Sequence, residues 1–337
     1  MNNSSSFLSK FKKIFPAPKY LDLDPVAIDL SDQTIRFMKL RSDGVSIFPD
    51  EYKEIKIDKK VLNMSEIDED FDVEDEKTKT LIDNLKKLKK EFKFEHAYVV
   101  LPESESYIFK MEIPKEAVAN TDSVIKFNIE ENVPISASDA IFSYSLLHHN
   151  RSKFFAIVNV FPRQIIDIYT KIFDLAEISV ISFESESVAL SRAIIDSGDE
   201  DPYLSIRFLE DKVSVSIIER NVVQYDSAIN ISISDILDDL DGDSATELKN
   251  TLNKLLVFWF TNRDYNDEHK KIQVAILSGE NSDDNAIHEF LEKYLKIEIR
   301  VADPWKNCFS IDDKLPEIKK SEALKYVSTI GILIDKI

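Results

Sequence analysis

Residues 26–40 read Val26-Ala27-Ile28-Asp29-Leu30-Ser31-Asp32-Gln33-Thr34-Ile35-Arg36-Phe37-Met38-Lys39-Leu40. Two apolar runs flank a short polar stretch, the pattern of a strand, a tight turn and a second strand. The acid Asp29 closes the first strand, and Ser31, Asp32, Gln33 and Thr34 fill the turn. No glycine lies within it, so its backbone lacks the residue that most easily takes left-handed conformations.

Outward from this hairpin, residues 26–57 alternate apolar and polar like three meandering strands. The same pattern returns at 203–208, 213–219 and 222–227. The first meander precedes a helix with Leu81, Leu85, Leu88 and Phe92 on one face, then a buried strand over 96–101. The second precedes helices at about 233–241 and 244–262 and a strand over 272–277. Leu252, Leu255, Leu256, Phe258, Trp259 and Phe260 predict burial of the longer helix on more than one face. Ser278-Gly279-Glu280, a helix over 284–295, a strand over 298–301 and a final helix from about 321 complete the chain.

Between the meanders lies strand 106–113, helix 121–131, strand 140–147, strand 153–160 and helix 162–175, then strand 179–183 and helix 185–196. Thr121 or Asp122 is placed to cap the first of these helices, and Pro162 to occupy N1 of the second. His148 and His149 are adjacent in a hairpin loop and point apart, with no further ligand at metal-binding spacing. A duplicated α/β unit with a cleft between its lobes explains this order. The division read here is a tail over 1–24, a first lobe of 25–105 with 177–197 and 321–337, an inserted block over 106–176, and a second lobe over 198–320.

The 337 residues carry 62 acidic and 43 basic side chains, a formal charge of −19, which speaks against nucleic acid as a partner. Apolar residues make up 43%, enough for a large core. The single cysteine, Cys308, allows no internal disulfide and fits a reducing compartment. No run of about 18 apolar residues predicts a transmembrane helix, and the start lacks a secretory signal. In the tail, Phe7, Leu8, Phe11, Ile14 and Phe15 fall at helical spacing among Lys10, Lys12 and Lys13, before Pro16 and Pro18. Such a helix lies on an anionic membrane, docks a partner, or packs on its own domain. The acidic run over 66–76 reads as a solvated loop.

Several segments together resemble the PilM family of type IV pilus machines, itself similar to the cell-division protein FtsA. Ala27-Ile28-Asp29-Leu30-Ser31 resembles that family's Gly-Ile-Asp-Ile-Gly phosphate loop. Residues 124–135, Val-Ile-Lys-Phe-Asn-Ile-Glu-Glu-Asn-Val-Pro-Ile, resemble its helix ending in Ile-Pro-Phe. Glu184 to Ala193 resemble its Glu-x-x-x-x-Ala-Leu-x-Arg-Ala helix, Leu277-Ser278-Gly279 its adenosine turn, and residues 328–333 its closing helix. The match covers about 25–335 and implies an α/β actin-like fold of two lobes with an inserted strand-helix-strand-strand subdomain of the 1C type.

In that fold the opening hairpin aims N–H groups at a nucleotide phosphate, and its acid serves metal or water. The nucleotide-site positions carried over are Asp29, Ser31, Asp32, Gln33, Arg207, Ser278 and Gly279. This chain departs at several positions: Ala27 and Ser31 replace the glycines of the first loop, Arg207-Phe208-Leu209 replaces Asp-Ile-Gly, and Glu280 replaces the second glycine of the adenosine turn. Leu209 adds bulk and Glu280 adds negative charge near a would-be anion, whereas Arg207 either pairs with a phosphate or is a surface strand residue. ATP with Mg is therefore a weak or lost ligand. The resemblance implies a cytoplasmic scaffold, peripheral to the inner membrane. It would hold the N-terminal tail of a PilN-like bitopic membrane protein between the first lobe and the inserted block, and link it to the assembly ATPase, with a homo-oligomeric ring also open. The faces of strand 106–113 and helix 185–193 either line that groove or are simply core. Two alternatives stand beside it: a working ATPase using Asp29, Asp32 and Gln33, and the cytoplasmic part of a GspL-type type II secretion protein.

Overall fold

The opening hairpin forms in the computed structural model, which describes residues 26–30, 33–42, 47–57, 75–148, 153–261, 271–309 and 316–334. Strand β1 (Val26–Asp29) pairs antiparallel with β2 (Thr34–Ser42), with Asp29 opposite Arg36. β3 (Ile47–Lys56) pairs with the far side of β2. Helix α1 (Glu76–Phe92) buries Leu81, Leu85 and Leu88, spaced four and three apart on one face. Each such leucine stabilises the fold by roughly 2 kcal/mol. β4 (His96–Leu101) then runs parallel to β1. With β8 (Ser179–Ser185) the sheet takes the order β3-β2-β1-β4-β8.

The second lobe repeats this plan. Its elements are β9 (Tyr203–Phe208), β10 (Val213–Glu219), β11 (Val222–Ile229), α5 (Ile233–Asp238), α6 (Asp243–Thr261), β12 (Val274–Gly279), α7 (Asn285–Leu295) and β13 (Glu298–Val301). The sheet order, β11-β10-β9-β12-β13, matches that of the first lobe strand for strand. This is the two-lobed actin-like arrangement expected from the sequence. The inserted block contributes β5 (Tyr107–Pro114), α2 (Thr121–Asn132), β6 (Ala140–His148) and β7 (Lys153–Pro162), in a separate sheet ordered β5-β7-β6. Ile125 and Ile129 of α2 pack on Phe109, Ile113, Val158 and Val160 of that sheet. Helix α3 (Arg163–Leu175) instead sends Ile165, Ile168, Tyr169, Ile172 and Phe173 into the first lobe's core.

Strand alternation builds the layers. Val26 and Ile28 face α1 and α3, whereas Ala27 faces a central layer made by α4 (Glu186–Ile194) and α9 (Val327–Ile334). Ile218 and Ile276 of the second sheet join that same central cluster, so the two helices lie between the sheets. They cross closely at Gly331, where an added Cβ would sit 1.8 Å from the Ala189 carbonyl oxygen.

Four local expectations are corrected. The longer helix of the second lobe, α6, is buried on one face only. Ala245, Leu248, Leu252, Leu255 and Trp259 line the core, while Val257 and Phe258 are 50% and 41% exposed, because the sheet covers a single side of it. Neither Thr121 nor Asp122 caps α2: Thr121 Oγ1 donates to the Val118 carbonyl, and Asp122 accepts from the Tyr144 hydroxyl. Pro162 sits at the N-cap of α3, not N1. The final helix is split into α8 (Lys320–Ala323), a 3-10 turn at 324–326, and α9. The tail at 1–24, residues 66–74 of the acidic run, and His149 lie outside the described residues, as do Ser31 and Asp32. Among the described residues no helix is long and apolar enough to cross a membrane. None of their His, Cys, Asp and Glu side chains cluster in a way that would hold a metal ion.

Candidate functional site

The candidate site grows out of alternation on β9. Leu204, Ile206 and Phe208 point into the second lobe's core, so Ser205 and Arg207 point the other way, into the cleft. Arg207 is only 1% exposed, which overturns the expectation of a surface strand residue. Its Nη1 donates to Glu186 Oε1 at 2.5 Å and its Nη2 to Asp29 Oδ2 at 3.1 Å. Nη2 also reaches the Lys325 carbonyl at 3.3 Å. Asp29 further accepts a hydrogen bond from the Ser328 hydroxyl at the start of α9. One side chain of the second lobe thereby ties the first lobe, α4 and the 3-10 turn ahead of α9.

Electrostatics keep these groups in place. Burial alone would lower the Arg207 pKa, but the Glu186 and Asp29 carboxylates outweigh it and the guanidinium stays charged. Glu186, the first residue of α4, is pushed well above the usual carboxylate range by burial. Arg207 and Lys212 oppose that rise and Glu103 reinforces it. Lys212 Nζ lies 3.7 Å from both Glu186 Oε2 and Glu103 Oε2. Ser214, opposite Arg207 on β10, donates to Glu103 Oε2 at 3.0 Å. At the edge of this group, burial and then Glu103 push Asp226 up to about 7, against a hydrogen bond from the Ser187 hydroxyl.

Three backbone N–H groups beside the loops are occupied too. The Leu30 N–H donates to Val100 O, the Leu209 N–H to Lys212 O, and the Glu280 N–H to Phe208 O. Gly279 takes φ +89°, and a Cβ there would lie 1.9 Å from the Phe208 oxygen. Only glycine tolerates both. The two loops also meet across the cleft: Gln33 Nε2 donates to Asp211 Oδ2 at 2.7 Å, and Lys56 pairs with Glu210 at 3.0 Å. A second network lies beside them. Buried Arg36 bonds Glu54 at 3.0 Å and Glu280 at 3.4 Å, and Lys325 holds Glu280 at 2.9 Å. Glu280 is therefore neutralised by two cations.

Of the positions named from sequence, Asp29, Gln33, Arg207, Ser278 and Gly279 converge here. Ser278 pairs with Arg207 across the β9–β12 ladder, fully buried. Sequence reading did not single out Glu103, Glu186, Lys212, Arg36 or Lys325 for this site. A signal existed for Glu186: it is an acid between Ser185 and Ser187 opening a helix otherwise rich in apolar residues. Helix 185–193, expected as part of a partner groove, is core: Glu186, Ser187, Ala189, Leu190, Ser191 and Ala193 are all buried. A separate open groove of about 890 Å³ runs between the inserted block and α3, lined by Pro134, Ile135, Asp139, Arg163, Asp167 and Lys171 among others.

No family model matches the sequence, and none of the curated proteins matches it. Solved structures do. The chain is similar to one in the PilM-PilN type IV pilus biogenesis complex, at a TM-score of 0.73 and 11% identity over 93% of this chain and 98% of that one. It also matches the cytoplasmic domain of EpsL, an inner membrane component of the type II secretion system of Vibrio cholerae. There the TM-score is 0.48 and the identity 12%, over 90% of this chain and 94% of that one. A third match is a Bacteroides thetaiotaomicron protein with actin-like ATPase fold and unknown function. Its TM-score is 0.45 at 13% identity, over 85% and 93% of the two chains. The chain is PilM-like in fold: two actin-like lobes and an inserted three-stranded subdomain.

Proposed function

We propose that this protein is a scaffold of PilM type in a pilus-like assembly machine, working through a bound partner and not through nucleotide turnover. It would sit at the cytoplasmic face of the inner membrane, hold the N-terminal tail of a PilN-like membrane protein, and link that protein to an assembly ATPase. The likeness along nearly the whole length of both chains supports this reading.

The observation that carries it is Arg207 lying between Asp29 and Glu186. A nucleotide with a divalent cation needs a free carboxylate and free N–H groups. Asp29 already faces a guanidinium and the Ser328 hydroxyl, and the Leu30, Leu209 and Glu280 N–H groups already have carbonyl partners. The residues present do not fit that ligand. They complete the contact between lobes that a nucleotide would otherwise bridge.

The open groove beside α3 suits an extended tail, which gains backbone hydrogen bonds and side-chain pockets together. It offers both signs of charge, with Arg163 and Lys171 near Asp139 and Asp167. The test is a pull-down with synthetic N-terminal peptides of bitopic pilus proteins. Wild type retains a matching peptide, and Arg163→Glu weakens retention roughly tenfold. Equal retention by both would refute the groove assignment, and no retention of any such peptide would refute the scaffold reading.

A further inference from the structure

We infer that the lysine-rich end of α1 is a docking surface for an anionic phospholipid membrane. Residues 86–93 read Lys-Lys-Leu-Lys-Lys-Glu-Phe-Lys, five cations and one acid, in a chain of charge −19. Leu88 is buried, whereas Lys86, Lys87, Lys90 and Lys93 are exposed. The acids at this end leave them unneutralised. Glu91 pairs with Lys53 at 2.5 Å and Glu95 with Lys89 at 2.8 Å. None of Lys86, Lys87, Lys90 and Lys93 has an ion-pair partner among the described residues. Counting Lys53 and Lys89 as well, six lysines share this end of the lobe with Asp83, Glu91, Glu95, Asp174 and Glu177.

Two further observations point to a lipid surface as the occupant. β1 and β4 run parallel with Ala27 beside Tyr98, so the chain before Val26 enters the sheet at the end where α1 hands over to β4. That preceding sequence carries Lys10, Lys12 and Lys13 among Phe7, Leu8, Phe11, Ile14 and Phe15, the composition of an interfacial anchor. Leu175, on the last turn of α3, is 39% exposed. It lies two residues before Glu177, whose carbonyl accepts Lys89 Nζ. Cations and the exposed Leu175 therefore share one end of the first lobe. An anionic leaflet attracts such lysines by about fivefold in affinity each, within a Debye length. The orientation is functional: it turns one end of the lobe to the bilayer and needs no partner protein, so it stands or falls apart from the tail-binding reading.

The test is sedimentation of the full chain with vesicles of phosphatidylcholine alone or with about 30% phosphatidylglycerol. Binding is expected only to the anionic vesicles and is lost on raising salt from roughly 0.05 to 0.5 M. Changing Lys86, Lys87, Lys90 and Lys93 to Gln together weakens it at least tenfold without altering the melting temperature. Lys77→Gln with Lys126→Gln leaves it unchanged. Equal binding by the fourfold variant, equal loss in the control pair, or tighter capture of duplex DNA than of vesicles would overturn the inference.

Discussion

Arg207 and Asp29 stand at equivalent strand ends of the two lobes and form an ion pair across the cleft, 3.1 Å apart. Asp29 lies between Arg36 on β2 and Val100 on β4; Arg207 lies between Ser214 on β10 and Ser278 on β12. In a duplicated fold this pair places opposite charges at the two related positions. The lobes are thereby bound by their own side chains.

Removing the cation strands the buried Asp29 carboxylate and leaves buried Glu186 without its donor. Arg207→Ala lowers the free energy of unfolding by about 3–5 kcal/mol, the range for breaking a buried pair from one side. Combining Arg207→Leu with Asp29→Asn and Glu186→Gln restores much of that loss, because no bare charge remains. Urea denaturation measures both; an unchanged midpoint for Arg207→Ala would show that the network carries no stability.

At the centre of the molecule, Gly331→Ala puts a methyl group against the Ala189 carbonyl of α4. Backbone must move, so a loss of about 1–3 kcal/mol is expected. Thermal unfolding reads it directly, and an unaltered melting temperature would mean that the helices separate freely.

A pH dependence follows from Asp226. Its folded pKa of about 7 exceeds the ordinary carboxylate value. Between about pH 4 and 7 the folded state thus keeps a proton that the unfolded state releases. Stability therefore falls as pH rises through that window, by at most about 1.4 kcal/mol per unit, and levels off above it. Asp226→Asn flattens this slope. Denaturation at pH 5, 6 and 7 checks it; identical slopes in both proteins would contradict the cause.

The hairpin at 26–40, the repeated meander and the inserted block were legible because period-two alternation and polar turns are local signals. The cleft was not. Arg207 sits 178 positions from Asp29 in sequence, and no local pattern tells a buried arginine from a surface one on an alternating strand. Glu280 was read as repelling an anion, yet Arg36 and Lys325 neutralise it, and both lie distant in sequence. Phe258 misled for the converse reason. An aromatic on a helix signals burial on average, whereas the sheet covers only one side of α6.

The central claim, that the cleft is closed by its own side chains, is tested most directly by titrating the protein with Mg-ATP in a calorimeter while assaying phosphate release. No binding heat at micromolar to low millimolar nucleotide, roughly weaker than −4 kcal/mol, and no phosphate release are expected. Micromolar binding with phosphate release that Asp29→Ala abolishes would contradict it.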